Sequence, residues 1–325
     1  MEFESSFMHF LLQHQQKHSR SLNFLILMES ILTAAKQIAH SYRLAELDRI
    51  TGEAGKHNVQ GESVMKLDVL AHEIIIHHLR QSGQVIEAIS EEDADPIKLN
   101  KDGRYLVYFD PLDGSSNVKH SLPVGLMFGI AKRNLEKEED CRLRKGSEYI
   151  ASGMFLLPSG QFTFALKDAG AWRFLLDETG SYVRPSKISF PTNKENWELS
   201  WNSGNRYYFK DKVQKWIKEH EENLNFRYIG ALAVDFHRLL HNGGMFLYPA
   251  ITQHSEPSKN RARGKLRLLY ESNVVGLIAQ EAGGIAIDEN GENVLNIDPE
   301  DRHQRSALYV GNMEIVKSVR KVLKS

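Results

Sequence analysis

The chain has 325 residues, 41% of them hydrophobic, and a formal net charge of -1. With 15 Phe, 11 Tyr and 4 Trp it carries enough apolar mass for a large core, which excludes disorder over most of the length. The near-neutral balance argues against a nucleic-acid protein, and the lone Cys141 cannot close an intrachain disulfide, as fits a reducing compartment.

The opening MEFESSFMHFLLQHQQKHSR is acidic first and lacks an apolar stretch ending in a small-residue cleavage site. The apolar run at 24–28 is far shorter than the ~20 residues of a membrane span, so a soluble, cytoplasmic chain is expected. Leu25, Met28, Ile31, Leu32 and Ala35 at helical spacing predict a helix over 21–49 capped by Ser21. A second helix is predicted over 65–81, stopped before Gly83. VIEAIS (85–90) reads as a buried strand that runs into Glu91-Glu92-Asp93. RYLVYF (104–109) reads as a strand ending in FDPLDGSS (109–116), and VGLMFGIA (124–131) as another. A strand meander follows over 149–184, with turns at Pro158-Ser159-Gly160 and near Gly170.

The polar stretch RPSKISFPTNKEN (184–196), with two prolines, is the candidate domain boundary. Beyond it strands and helices alternate. ELSWNS, GMFLYPA and ALYVGN are predicted strands; helices are predicted at about 209–222, 231–241 and 273–281, and at the C-terminus. The basic segment 253–265 reads as a structureless, solvated insertion. Both halves therefore mix helix and sheet, an α+β or α/β chain with helix-covered sheets and no internal repeat.

Acidic residues gather where strands give way to loops or helices. Asp68 heads the second helix, after Glu62; Glu91 and Glu92 end VIEAIS; Asp110 and Asp113 end RYLVYF; Glu271 ends KLRLLY. Singly, each has a local explanation: a turn, a solvated acidic loop, a helix cap, a surface residue. Their recurrence at strand ends, where α/β folds gather ligand groups, favours one shared site. Oxygen-only ligands suit Mg²⁺ or Mn²⁺, which would offset the mutual repulsion and prepare the site for a phosphate. If a helix starts at Gly114-Ser115-Ser116, its free N–H groups would add an anion cradle. Lys265 and Arg267, two apart on a predicted strand, would face the same side and could meet a phosphate. Ser115 lacks a G-x-S-x-G context, so acyl transfer has no support.

KLDVL (66–70), ISEED (89–93), YFDPLDGSSNV (108–118), GGMFLYPA (243–250), GKLRLLYESN (264–273), EAGG (281–284) and DRHQRS (301–306) together resemble the class I fructose-1,6-bisphosphatases, within the inositol monophosphatase and sugar phosphatase superfamily. The resemblance runs from about residue 22 to the C-terminus. It implies a layered α-β-α-β-α sugar phosphatase fold of two mixed-sheet domains covered by helices, 1–190 and 191–325. It implies more than one metal ion per subunit, held by Glu91, Asp110, Asp113, Glu271 and the Leu112 carbonyl. Asp68 and Glu92 match residues that orient and deprotonate the attacking water, and Glu62 an acidic position on a mobile loop. By the same resemblance Gly114, Ser115, Ser116 and Arg267 take the 1-phosphate. Asn202, Tyr228, Tyr248 and Lys265 hold the sugar and its 6-phosphate, and Arg227 reaches a neighbouring subunit in a homotetramer. The implied reaction is hydrolysis of the 1-phosphate of fructose 1,6-bisphosphate, in gluconeogenesis.

The chain departs from that pattern in places. Asn205 stands at a sugar-site tyrosine position, and Ala231 and Leu232 replace a small polar residue and a methionine, which leaves room for sedoheptulose 1,7-bisphosphate as substrate. SLNFL (21–25) replaces the Thr-Gly-Glu-Leu-Thr-like loop of AMP-inhibited members; Arg104, Tyr105 and Lys132 could supply the rest of a nucleotide pocket, but weak or absent AMP inhibition is expected. An inositol-type monophosphatase is disfavoured by Lys265, Tyr248 and Arg227, and a non-catalytic sugar-phosphate binder by Asp68 and Glu92.

Overall fold

Leu106 and Tyr108 point to one face of their strand and Val107 and Phe109 to the other, and all four are buried. Such a strand lies inside a sheet covered on both sides, which is why RYLVYF reads as one continuous apolar run. The computed structural model describes residues 5–18, 21–57, 63–134, 143–157 and 159–325. Cys141, Pro158 and Glu62 lie outside the described residues.

The first half contains α1 (Phe7–His18), α2 (Leu22–Leu44), the hairpin β1 (Glu53–His57) and β2 (Ser63–Met65), and α3 (Lys66–Ser82). Then come β3 (Val85–Ser90), β4 (Ile97–Lys98), β5 (Tyr105–Asp113), β6 (Val124–Lys132), β7 (Tyr149–Leu157), β8 (Gln161–Leu166), β9 (Gly170–Leu176) and β10 (Tyr182–Ile188). These eight strands form one sheet in the order β10-β9-β8-β7-β6-β5-β3-β4. Only β3 and β5 run parallel within it, with Ser90 opposite Phe109.

The second half contains β11 (Glu198–Ser200), α4 (Asp211–His220), β12 (Asn225–Phe226), α5 (Leu232–Asn242), β13 (Gly244–Tyr248) and β14 (Leu266–Arg267). It continues with α6 (Asn273–Glu281), β15 (Ile285–Ile287), β16 (Arg305–Ser306), β17 (Leu308–Gly311) and α7 (Met313–Lys324). A five-stranded sheet runs β12-β11-β13-β17-β15, and β14 pairs with β16 as a separate ribbon.

Three cores define the layers. The first lies between α1, α2 and α3 and one face of the large sheet. A second fills the space between that sheet's other face, α5 and α6, and the small sheet. In the third, the small sheet's far face packs on α4 and α7. The stacking is the expected α-β-α-β-α order. Helix α2, at 23 residues, is long and apolar enough to cross a membrane by length and composition. Eleven of its residues, from Phe24 to Tyr42, are buried in the first core, as in the core helix of a globular fold.

Several expectations need correcting. No element is predicted before residue 21, yet Phe7–His18 forms α1: Phe7, Phe10 and Leu11 recur at helical spacing and are buried. The Phe7 ring meets Phe162, Phe164 and Phe174 edge-on at 4.9–5.2 Å. The helix predicted to reach residue 49 ends at Leu44, and Ser21 makes no capping bond; its hydroxyl pairs with the Tyr105 hydroxyl at 3.1 Å. The stretch proposed as a domain boundary, 184–196, begins within edge strand β10, where Pro185 sits at a break in register between Val183 and Ser186. An edge strand tolerates a proline there because no ladder partner needs its missing N–H. The segment 253–265 is not structureless either: Ile251 bridges Arg261, and Pro257–Lys259 forms a 3-10 turn.

Candidate active site

Asp110 and Asp113 are three residues apart, and on a regular strand an odd spacing sends side chains to opposite faces. Here β5 advances from Asp110 to Asp113 while β6 advances only from Met127 to Gly125. The extra residue, a bulge containing Pro111, corrects the parity and brings both carboxylates to one side. Asp110 Oδ1 accepts from the Leu112 N–H at 2.9 Å. Asp113 accepts from the Leu232 and Ala233 N–H groups at 3.1 and 2.6 Å, docking β5 onto the first turn of α5. The Glu91 N–H donates to the Phe109 carbonyl at 3.1 Å, which continues the β3–β5 pairing and sets Glu91 beside Asp110. Asp68, in the first turn of α3, accepts from the Met65 N–H at 2.7 Å.

Glu271 arrives differently from expectation. KLRLLY is a strand only over Leu266–Arg267; Leu268–Ser272 is a π-helical turn leading into α6. The wide turn puts Glu271 back over its own start, where Oε2 accepts from the Arg267 N–H at 2.6 Å. The Tyr149 hydroxyl donates to the Leu269 carbonyl at 2.7 Å, and its ring stacks on Tyr108 at 4.9 Å. Gly129 makes room for that ring: a Cβ there would lie 2.3 Å from it.

Burial and crowding shape the electrostatics. Asp110 and Glu271 are both held well above the usual carboxylate range by burial, and then by neighbouring carboxylates, Glu91 first among them. Burial raises Asp113 to about 7 against the pull of its two backbone donors. Burial likewise raises Asp68 to about 7, opposed by the Met65 N–H and the Ser115 hydroxyl and assisted by Glu91. Oxygens of Asp110, Asp113 and Glu271 all lie within 4.8 Å of one another. A buried, all-oxygen, all-acidic set fits a hard divalent cation, whose charge would relieve the repulsion that lifts these pKa values.

These groups line an open cleft together with Glu92, Leu112, Gly114, Ser115, Ser116, Tyr228, Tyr248, Lys265 and Arg267. Arg267 is 2% exposed; among the described residues its Nε has no hydrogen-bond acceptor, with Glu91 Oε1 at 4.0 Å. A buried guanidinium so placed is suited to an incoming anion. The helix expected behind Gly114 is a six-residue 3-10 turn, Ser115–His120. Gly114 is required at its head: φ is +80°, and a Cβ would lie 2.4 Å from that of Ala231.

Two predicted residues do not line the cleft. Asn202 caps the 3-10 turn Ser203–Tyr208, accepting from the Gly204 N–H at 3.0 Å. Arg227 is exposed, and its guanidinium donates to the Phe226 carbonyl. Asp235, unremarked in the sequence, does line it. It is 1% exposed and accepts from the Ile229 and Gly230 N–H groups at 2.9 and 3.0 Å, which holds the loop carrying Tyr228. An aspartate one turn into a helix after a glycine was the only sequence signal for it.

Residues 5–187 match the family described as Fructose-1-6-bisphosphatase, N-terminal domain, and residues 192–324 its C-terminal domain. The chain belongs to the fructose-1,6-bisphosphatase family. It is 55% identical over 330 residues to a class 1 fructose-1,6-bisphosphatase of Syntrophus aciditrophicus, covering 100% of this chain and 99% of that one. A chloroplastic fructose-1,6-bisphosphatase of Triticum aestivum is 36% identical, over 97% of this chain and 80% of that one. The structure superposes on the Leishmania major fructose-1,6-bisphosphatase in holo form with a TM-score of 0.88, at 27% identity over 99% of both chains. Within this family the layered fold and its acidic cleft are accounted for. The departure at Asn205 touches the cleft directly: its amide reaches the Tyr248 hydroxyl at 3.5 Å.

Proposed function

We propose that the chain hydrolyses the 1-phosphate of fructose 1,6-bisphosphate to fructose 6-phosphate and phosphate, with gluconeogenesis in the cytoplasm as its setting. Membership of the family supports the reading, and one observation carries it at the site: a buried Arg267 with an open Nε shares a cleft with a carboxylate cluster fit for metal. Glu91, Asp110, Asp113, Glu271 and the Leu112 carbonyl would hold more than one Mg²⁺, or Mn²⁺. When bound, the ions supply charge neutralisation and a more acidic water.

The chain's own residues would do the rest. Asp68, raised to about 7, would act with Glu92 to take a proton from the attacking water near neutral pH. The water oxygen joins phosphorus, the bond from phosphorus to the C1 oxygen breaks, and the released alkoxide takes up a proton. Gly114, Ser115 and Ser116 would hold the 1-phosphate with Arg267, and Asn202, Tyr228, Tyr248 and Lys265 the sugar and 6-phosphate. Arg227, facing outward, would complete a neighbouring subunit's site in a homotetramer. Glu62, outside the described residues, would be the further acidic residue of the catalytic set. We further propose a division into domains 1–190 and 191–325.

Phosphate release from fructose 1,6-bisphosphate in Mg²⁺ tests the reading: wild type turns over, and Asp110→Asn loses nearly all activity while remaining folded. An Asp110→Asn variant with near-normal turnover overturns the metal assignment. Asn205, beside Tyr248, leaves room for a second reading, action on sedoheptulose 1,7-bisphosphate, which a steady-state comparison of the two sugars decides.

A further inference from the structure

The segment DRHQRS lies beside the cleft but does not enter the chemistry above. It runs along the strip that carries Arg267 and Glu271: Ser306 pairs with Leu266, Arg305 with Arg267, and the Leu268 N–H donates to the Gln304 carbonyl at 2.8 Å. His303 reaches out of this strip in two directions. Its Nε2 lies 2.9 Å from the Asp93 carbonyl, on the turn that carries Glu91 and Glu92. Its Nδ1 lies 2.7 Å from the hydroxyl of Tyr270, the residue before Glu271.

The partners dictate the tautomer. A carbonyl only accepts, so Nε2 carries the hydrogen; a neutral ring then accepts at Nδ1, and the Tyr270 hydroxyl donates. One side chain thus spans two segments that come from different sheets and each bring carboxylates to the cleft. The 90–93 turn is also held from α3: His72 Nδ1 lies 2.9 Å from Ser90 Oγ, which accepts from the Glu92 N–H at 3.2 Å. That grip stays within the first half, whereas His303 reaches the turn from the second. Tyr270 is fully buried, so its hydroxyl has no water to turn to if the imidazole is removed.

We propose that His303 is a positioning residue for the metal site: by tying the Asp93 carbonyl to Tyr270 it fixes the separation of Glu91 from Glu271 and hence the affinity for a divalent cation. This rests on the metal-site reading above. Outer groups that orient ligands typically change metal affinity 10–100-fold when removed.

The test is Mn²⁺ titration of the full chain by calorimetry without substrate, beside the half-saturating Mn²⁺ for phosphate release. His303→Ala is expected to weaken Mn²⁺ binding by about tenfold or more, with a larger shift in half-saturating metal than in kcat at saturating metal. Tyr270→Phe is expected to weaken it less, and the double variant no further than His303→Ala, because the two act as one link. Arg302→Ala, which breaks only the exposed pair with Asp95 at 3.0 Å, is expected to bind Mn²⁺ within twofold of wild type. Should His303→Ala fail to fold, His303→Gln, which can keep the donor to Asp93 but not the bond to Tyr270, carries the same comparison. Unchanged Mn²⁺ affinity in a folded His303 variant overturns the inference and leaves the metal site standing. A wild-type chain that binds no Mn²⁺ overturns both.

Discussion

Gly114 shows how much a single position can decide. Its φ of +80°, and the 2.4 Å that would separate an added Cβ from that of Ala231, leave no room for a side chain where the proposed phosphate cradle meets α5. Gly114→Ala must therefore open the contact between β5 and α5, at a cost of roughly 1–3 kcal/mol for the backbone conformation alone. The expected outcome is a lowered melting temperature and a rise in KM for the sugar bisphosphate; an alanine variant with wild-type KM would show that the cradle lies elsewhere. Asp110 and Asp113 were legible in the sequence because FDPLDGSS places them at a strand end beside glycine and serine. Asp235 was not, because its partners are backbone N–H groups, and a side chain bound to backbone leaves no paired residue type to recognise.

Among elements, long and regular ones were legible and short, wide or irregular ones were not. The strands β5 to β9 show sustained runs of β-formers, and the sheet keeps them. KLRLLY carries the same residue types but turns into a π-helix, because Glu271 folding back on the Arg267 N–H and Tyr149 holding the Leu269 carbonyl outweigh local preference. The start of α2 supports the expectation about AMP. The Ser21 hydroxyl is already paired with Tyr105, and Phe24 and Leu25 behind it are buried, so few groups remain to hold a nucleotide phosphate. AMP at about 1 mM, a concentration that would saturate any site of useful affinity, is expected to leave turnover within twofold. Steep, cooperative inhibition in the same titration would refute this.

At the scale of the molecule the acidic cleft makes stability depend on pH and metal together. Asp68 and Asp113 have folded-state values near 7, above the ordinary carboxylate range near 4, so the folded chain binds protons more tightly than the unfolded chain. That contribution is complete below about pH 4 and is lost as pH rises toward 7. A divalent cation acts in the opposite sense, since it binds the deprotonated folded site and releases those protons. The gain in melting temperature on adding Mn²⁺ over EDTA is thus expected to grow between pH 5 and pH 8. A gain independent of pH would show that Asp113 is not a ligand. The layered architecture was foreseen from family resemblance; the alternation of strands and helices alone reached only its class.

The bulge at Pro111 also dates the site within the folding reaction. Asp110 and Asp113 share a side only once the β5–β6 register, with its extra residue, has been set. Glu271 must still be brought to them from far along the chain. Closing so long a loop comes late, because the entropy it costs is recovered only by contacts already in place. An ion therefore finds no complete pocket in the transition state. Added Mn²⁺ is expected to leave the refolding rate unchanged and to slow unfolding, so that the metal works as a lock on the finished molecule rather than as a template for it.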